Sequence, residues 1–144
     1  MTYEKLIIYD TIAPYGVESS GGIIYLKVIL TNSINHQFIK DRLEFIENVE
    51  SKKMGSYPVI SNIRRLKDGN DILRIRINVF KGRKLVKMNY DNKCDKEDYL
   101  KNIDELHLDS KINVKFSIKN GYVFKIDDEN KFGLNITVDE VTIL

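Results

Sequence analysis

The chain is poor in the residues that make covalent or metal chemistry. Of its 144 residues one is cysteine, Cys94, and two are histidine, His36 and His107. A single cysteine forms no internal disulfide, which fits a reducing compartment. One thiol and two imidazoles fall short of the roughly four ligands a structural zinc site needs. A thiolate pair of Cys94 with His107 is the weaker reading beside a lone, inert cysteine. Tryptophan is absent, and proline occurs twice, at Pro14 and Pro58. No apolar run approaches the roughly 18 residues of a membrane span, and the start, Met1-Thr2-Tyr3-Glu4-Lys5-Leu6, lacks the pattern of a secretion signal. These absences lead us to expect an intracellular, cytoplasmic protein with no membrane partner. The glycine-rich stretch 14–22 lacks both the Gly-Lys-Ser/Thr ending of a P-loop and the spacing of a dinucleotide fingerprint, so no cofactor is implied.

What is present is enough apolar residue, 42%, to bury a core without metal or disulfide help. No repeat or linker interrupts the chain, and we expect one domain over 1–144. Residues 23–30 are rich in aliphatic and β-branched side chains and read as a buried strand. A helix follows, capped by Asn32 or Ser33 and ending near Gly55, with Ile34, Phe38, Ile39, Leu43, Phe45, Ile46 and Val49 forming its apolar stripe. A strand is expected over 57–66, interrupted early by Pro58. Leu73, Ile75, Ile77 and Val79 alternate with Arg74, Arg76 and Asn78, and a turn at 81–84 returns the chain along 85–90, which predicts a hairpin. Asp95 caps an expected short second helix carrying Tyr99, Leu100, Ile103 and Leu106. Three strands close the chain, with turns expected at Asn120-Gly121 and at 127–130.

Charge is unevenly distributed. Residues 64–87 hold nine bases (Arg64, Arg65, Lys67, Arg74, Arg76, Lys81, Arg83, Lys84, Lys87) against two acids, a local +7 in a chain whose net charge is +2. Residues 91–110 swing the other way, to −4. A cationic segment on an otherwise ordinary protein is the footprint of a polyanion-binding surface. Aromatics interleave with it: Tyr57, Phe80, Tyr90, Tyr122 and Phe124 lie in or beside strands that carry Arg74, Arg76, Lys87, Lys115 and Lys125. Cations that track phosphates and flat rings that stack on bases are together what a single strand requires. The competing reading is that Phe116 and Phe124 are core and the arginines only solubilise an edge strand. Asp127, Asp128 and Glu129 stand together and raise a third possibility, a metal-dependent nuclease. They lack the ligand spacing of an EF-hand loop, and a solvated turn accounts for them better.

The second half of the chain, 72–144, resembles the OB-fold single-stranded DNA-binding proteins of large DNA viruses and related elements, including poxvirus, giant-virus and phage types. The resemblance rests on the alternating strand 112–118, the aromatic strand Tyr122-Val123-Phe124, a short acidic turn, and Phe132-Gly133-Leu134 opening a last strand that runs through Val138-Asp139-Glu140-Val141. It implies a mainly β, OB-fold-like β-barrel over 72–144 with two flanking α-helices, elaborated by the strands and helix of 1–66. It also implies a non-enzymatic, largely sequence-independent single-stranded DNA-binding protein of viral or plasmid-type replication. The DNA would lie in a groove contacted by Arg74, Arg76, Arg83, Lys84, Lys87, Tyr90, Lys115, Tyr122 and Phe124. RNA is an alternative strand, and replication proteins and a homo-oligomer are further partners to expect. Many members end in an acidic tail, whereas this sequence ends Val141-Thr142-Ile143-Leu144 in an expected strand, so recruitment through such a tail is not expected. The rival function is an interaction module or regulatory subunit whose cationic hairpin docks an acidic partner protein.

Overall fold

Alternation decides most of the architecture. The computed structural model describes residues 3–90 and 103–144. Its strands are β1 (Glu4–Thr11), β2 (Val17–Ser20), β3 (Ile23–Leu30), β4 (Ile63–Arg65), β5 (Asp71–Ile77), β6 (Val79–Phe80), β7 (Arg83–Lys84), β8 (Lys87–Tyr90), β9 (Ile112–Ile126) and β10 (Glu129–Ile143), with helix α1 (Ile34–Lys53) between β3 and β4. Strands lie in the order β1-β9-β10-β5-β3-β2; β4 also pairs with β5, and β8 runs parallel to β10. Every second residue points to one face: Leu6 and Ile8; Leu26, Val28 and Leu30; Leu73, Ile75 and Ile77; Ile112, Val114, Phe116 and Ile118. These side chains form one buried cluster with Ile39, Leu43 and Ile46 of α1.

The sheet draws its strands from both halves of the chain, so β1 and β3 are built into it, not laid around a barrel of 72–144. Among the described residues the barrel does not close by strand pairing. The end strand β1 approaches β3 where a bulge at Tyr9 and Asp10, opposite the single residue Asn113, bends β1 away from β9. There the Ile29 N–H donates to the Ile12 carbonyl at 3.1 Å and the Thr11 hydroxyl to the Ile29 carbonyl at 2.5 Å. The result is an OB-like open sheet bridged at one point.

Three further expectations are corrected, and a fourth, the second helix, lies largely outside the described residues. The segment 85–90 does not fold back along β5. The antiparallel neighbours of β5 are β3, whose buried Leu26, Val28 and Leu30 match the periodicity of β5, and the short β4, while 87–90 pairs with β10, and Val86 and Met88 are set against the core. Asn120-Gly121 is not a turn but lies inside β9, and the true turn is Asp127-Asp128, both left-handed at φ 50° and 65°. Gly121 serves instead as a bed for a ring: a Cβ there would stand 2.2 Å from Phe132. Among the described residues there is one α-helix, not two; the expected second helix falls largely on residues outside the description, and its tail, Ile103–Glu105, is a 3-10 turn. In α1 the buried side is His36, Ile39, Leu43, Ile46, Glu47 and Ser51, whereas Ile34, Phe38 and Phe45 face solvent, because only one side of the helix meets the sheet.

Ser33 is the helix cap, its hydroxyl accepting from the His36 N–H. The first turn also pins β1. Asn35 accepts from the Tyr9 N–H and donates to the Ile7 carbonyl, while the His36 ring accepts from the Thr31 N–H at Nδ1 and reaches the Tyr9 carbonyl through Nε2 at 2.6 Å. His36 is therefore a satisfied core residue. No described helix is long and apolar enough to cross a membrane.

Candidate nucleic-acid interface

The face of the sheet away from α1 is shaped by cross-strand register. Paired residues share a face, so Tyr25 stands beside Arg76 and Lys27 beside Arg74 across β3 and β5. The Arg74 guanidinium lies 4.6 Å from the centre of the Tyr25 ring, and the Lys27 ammonium 5.9 Å from that of Tyr15, cation–π arrangements that hold ring and charge in one layer. Lys27 also pairs with Glu18 at 3.3 Å. Arg64, Arg74 and Arg76 have no carboxylate within ion-pair distance among the described residues.

A second bulge carries the aromatic half. Lys119 and Asn120 of β9 oppose the single residue Asn135 of β10, so the parity of β9 flips after Ile118. Gly121 then takes the core side while Tyr122 and Phe124 move to the outer face. Their rings lie across Gly133: a Cβ at 133 would meet Tyr122 at 2.9 Å and Phe124 at 3.1 Å. The two rings sit 5.4 Å apart and tilted by 35°, and Tyr122 remains 49% exposed. Gly121 and Gly133 thus bed rings on opposite sides of one hairpin, Phe132 in the core and Tyr122 with Phe124 outside. Of the two phenylalanines that competed for a core role, Phe116 is fully buried and Phe124 is only half-buried.

Three hollows of about 280, 110 and 200 Å³ join these groups into a groove. The first lies by Tyr15, Lys27 and Arg64, the second by Ile60, Asn62 and Arg74, the third by Tyr25, Arg76 and Tyr122; shared lining residues make them continuous. Asn62 fixes the floor. Its amide donates to the Leu134 carbonyl at 2.8 Å and its own carbonyl accepts from the Arg74 N–H at 2.9 Å, tying β5 to β10 where they diverge. The groove carries four cations and one carboxylate, with aromatic rings at both ends.

Of the expected contact residues, Arg74, Arg76 and Tyr122 line this groove and Phe124 packs beside Tyr122. The others lie elsewhere. Arg83 and Lys84 belong to a two-stranded ribbon, β6–β7, turned by Lys81 and Gly82, and Lys84 pairs with Asp104 at 2.8 Å. Lys87 and Lys115 flank Glu140 in register from opposite sides, and Tyr90 lies opposite Ile143. Phe80 is exposed on the ribbon, Lys125 is exposed on the β9–β10 hairpin, and Tyr57 packs against the core. Tyr15, Tyr25, Lys27 and Asn62 are groove residues that the sequence reading passed over. The alternation Tyr25-Leu26-Lys27-Val28 was the available signal, hidden by reading 23–30 as buried on both faces.

A separate hollow of about 460 Å³ lies between α1 and the 59–65 segment and has the opposite sign, lined by Asp41, Glu44, Glu47 and Asp71 with Lys40 and Arg65. Both bases are engaged by Asp71, at 3.1 and 3.2 Å. Burial pushes the Glu47 carboxyl up to about 7, opposed by its hydrogen bond from Ser61 and reinforced by Glu44. Among the described residues no group of three or more acids, histidines or cysteines is arranged to hold a metal. Asp127 and Asp128 form the hairpin turn, and Glu129 is paired with Lys131 at 3.1 Å.

No protein-family model matches the chain, and no curated protein matches it. Among solved structures it is similar to the crystal structure of gp2.5, a single-stranded DNA binding protein encoded by bacteriophage T7, with a TM-score of 0.63 at 12% identity over 97% of this chain and 85% of that one. At that identity the similarity is one of fold.

Proposed function

We propose that this chain is a non-enzymatic protein that binds single-stranded DNA during replication of a viral or plasmid type, largely without regard to sequence. The observation that carries the reading is the groove in which Arg74 and Arg76 lie beside Tyr25, Tyr122 and Phe124. Unpaired guanidinium groups suit phosphates, and rings held over Gly133 or layered with Arg74 offer flat faces to unstacked bases. The similarity of fold to gp2.5 supports the same reading, since that protein is described as a single-stranded DNA binding protein.

The test is fluorescence anisotropy with a labelled oligo-dT of about 30 nucleotides, at about 50 and 200 mM salt, with duplex and RNA competitors. We expect tight binding that prefers the single strand and weakens with salt, with a slope of about −0.7 in log K per phosphate neutralised. Equal binding of duplex and single strand in matched salt would remove base stacking from the account and overturn it. Absence of binding at the lower salt would turn attention to an acidic protein partner for the cationic surface.

A further inference from the structure

We propose that copies of this chain associate head to tail, the acidic tip of the β9–β10 hairpin of one copy docking on the cationic β6–β7 ribbon of the next. The two features stand apart on one strand. β10 begins at the hairpin tip, while the ribbon grows from Asn78 and Leu85, which are hydrogen-bonded to each other just before Lys87 comes level with Glu140. Twelve residues of extended chain separate Asp128 from Glu140, about 40 Å along the strand at about 3.3 Å per residue.

Each tip combines charge with exposed apolar surface. On the ribbon, Lys81 and Arg83 have no carboxylate within ion-pair distance among the described residues, and Val79, Phe80 and Leu85 are exposed, Phe80 to 61%. On the hairpin, Asp127 and Asp128 are exposed at the turn itself, beyond Lys125 and the Glu129–Lys131 pair, and stand beside Ile126 and Val123, which are also open to solvent. Opposite charge selects the partner and sets the register, and the apolar residues supply the contact area. Because the two surfaces differ, each one-way contact leaves one tip and one ribbon free, and its repetition builds an array. The groove lies between the tips, so an array would set successive grooves end to end. This last step rests on the function proposed above; the contact itself does not. So small an interface is weak between free molecules and gains strength when a strand holds neighbours at high effective concentration.

Two variants test it. One replaces the tip as Asp127→Asn, Asp128→Asn and Glu129→Lys, asparagine being tolerated in the left-handed turn; the other carries Lys81→Glu and Arg83→Glu. Without DNA, carbodiimide coupling of mixed isotope-labelled and unlabelled wild-type protein should join Lys81 or Lys84 of one copy to Asp127, Asp128 or Glu129 of another. Each variant alone should lose the link between the tips, and the two mixed should regain it, since the intact tip of the ribbon variant then meets the intact ribbon of the tip variant and the reversed tip meets the reversed ribbon. Absence of that link in the wild type, or failure of the mixture to restore it, would overturn the contact. With DNA, a long oligonucleotide should bind wild type with about tenfold or greater cooperativity, falling toward one in each variant and recovering in the mixture. Normal binding to a short oligonucleotide without cooperativity on the long one would overturn the array and leave the DNA reading intact. Loss of short-oligonucleotide binding in the ribbon variant, by as much as a groove substitution causes, would make the ribbon a DNA contact and overturn the proposal from the other side.

Discussion

In the groove, Arg74 and Arg76 rise from a strand whose other face, Leu73, Ile75 and Ile77, is core, and the rings beside them rest on other residues, Tyr25 under Arg74 and Tyr122 on Gly133. In the ribbon, Arg83 and Phe80 stand on a two-residue ladder, Lys84 is committed to Asp104, and Lys87 is level with Glu140. Both regions are basic and aromatic in sequence. The groove leaves its three arginines without a carboxylate partner among the described residues and its rings pre-positioned on packed strands, so little ordering cost remains when a ligand arrives. The ribbon has its charges partly answered and its rings supported by little else. Composition therefore marks a cationic surface, but the burial beneath it decides which part is held in place for the proposed strand.

The largest expected effect comes from removing the unpaired charge. Arg74→Ala with Arg76→Ala should weaken oligo-dT binding by about 100-fold at low salt and flatten the salt dependence by about 0.7 per lost phosphate contact. A slope that stays unchanged would mean these arginines do not meet phosphates, and the contrast with the ribbon would collapse. Next is Tyr122→Leu, which keeps bulk over Gly133 and removes the aromatic face. Stacking is worth about 1 to 3 kcal/mol per base, so a loss of about 5- to 150-fold is expected, with the salt slope unchanged. Phe80→Leu on the ribbon should leave a short oligonucleotide's affinity unmoved.

How much of this was legible in sequence follows from where parity survives. In β5 and in β9 up to Ile118 the alternation is unbroken, and the faces assigned to Leu73 through Ile77 and to Ile112 through Ile118 are those observed. Beyond Ile118 the extra residue at Lys119 and Asn120 exchanges the faces, and nothing local in the sequence announces a bulge. Asn120-Gly121 matched a hairpin turn because the glycine is needed, though for the ring of Phe132 and not for a positive φ. The pairing of β5 with β3 is set by matching buried faces far apart in the chain. Adjacency in sequence favoured 85–90 instead, and the groove residues Tyr25 and Lys27 were missed for the same reason.

Stability should respond to pH on the α1 side of the molecule, away from the groove. Glu47 is about 7 in the folded chain and near 4.5 when exposed, so between these values the folded state holds the proton and the unfolded state has released it. Stability should therefore fall as pH rises from about 4.5 to 7, by about 2 to 3 kcal/mol, and level off above. Glu47→Gln should flatten that part of the curve in thermal melts while leaving oligo-dT affinity within about twofold, since the acid hollow shares Ser61 with the groove but none of the groove's cations or rings. A parallel loss of affinity would mean that the α1 side of the molecule and the groove are energetically coupled.

The smallest effect is expected at the ribbon. Arg83→Ala and Lys84→Ala remove two positive charges, but one of them belongs to a half-exposed pair with Asp104, of a kind worth no more than about 1 kcal/mol. On an oligonucleotide short enough for one copy, affinity should change by less than about threefold, through the general field of the protein and not through a contact. The discriminating quantity is the ratio of this loss to that of the Arg74 and Arg76 double substitution at the same salt. A ratio near one would show that net charge alone governs binding, and the packing beneath Arg74, Tyr25 and Tyr122 would then explain the fold but not the affinity. A ratio far below one would mean that two arginines on a buried strand do what two equally basic residues on a projecting ribbon cannot.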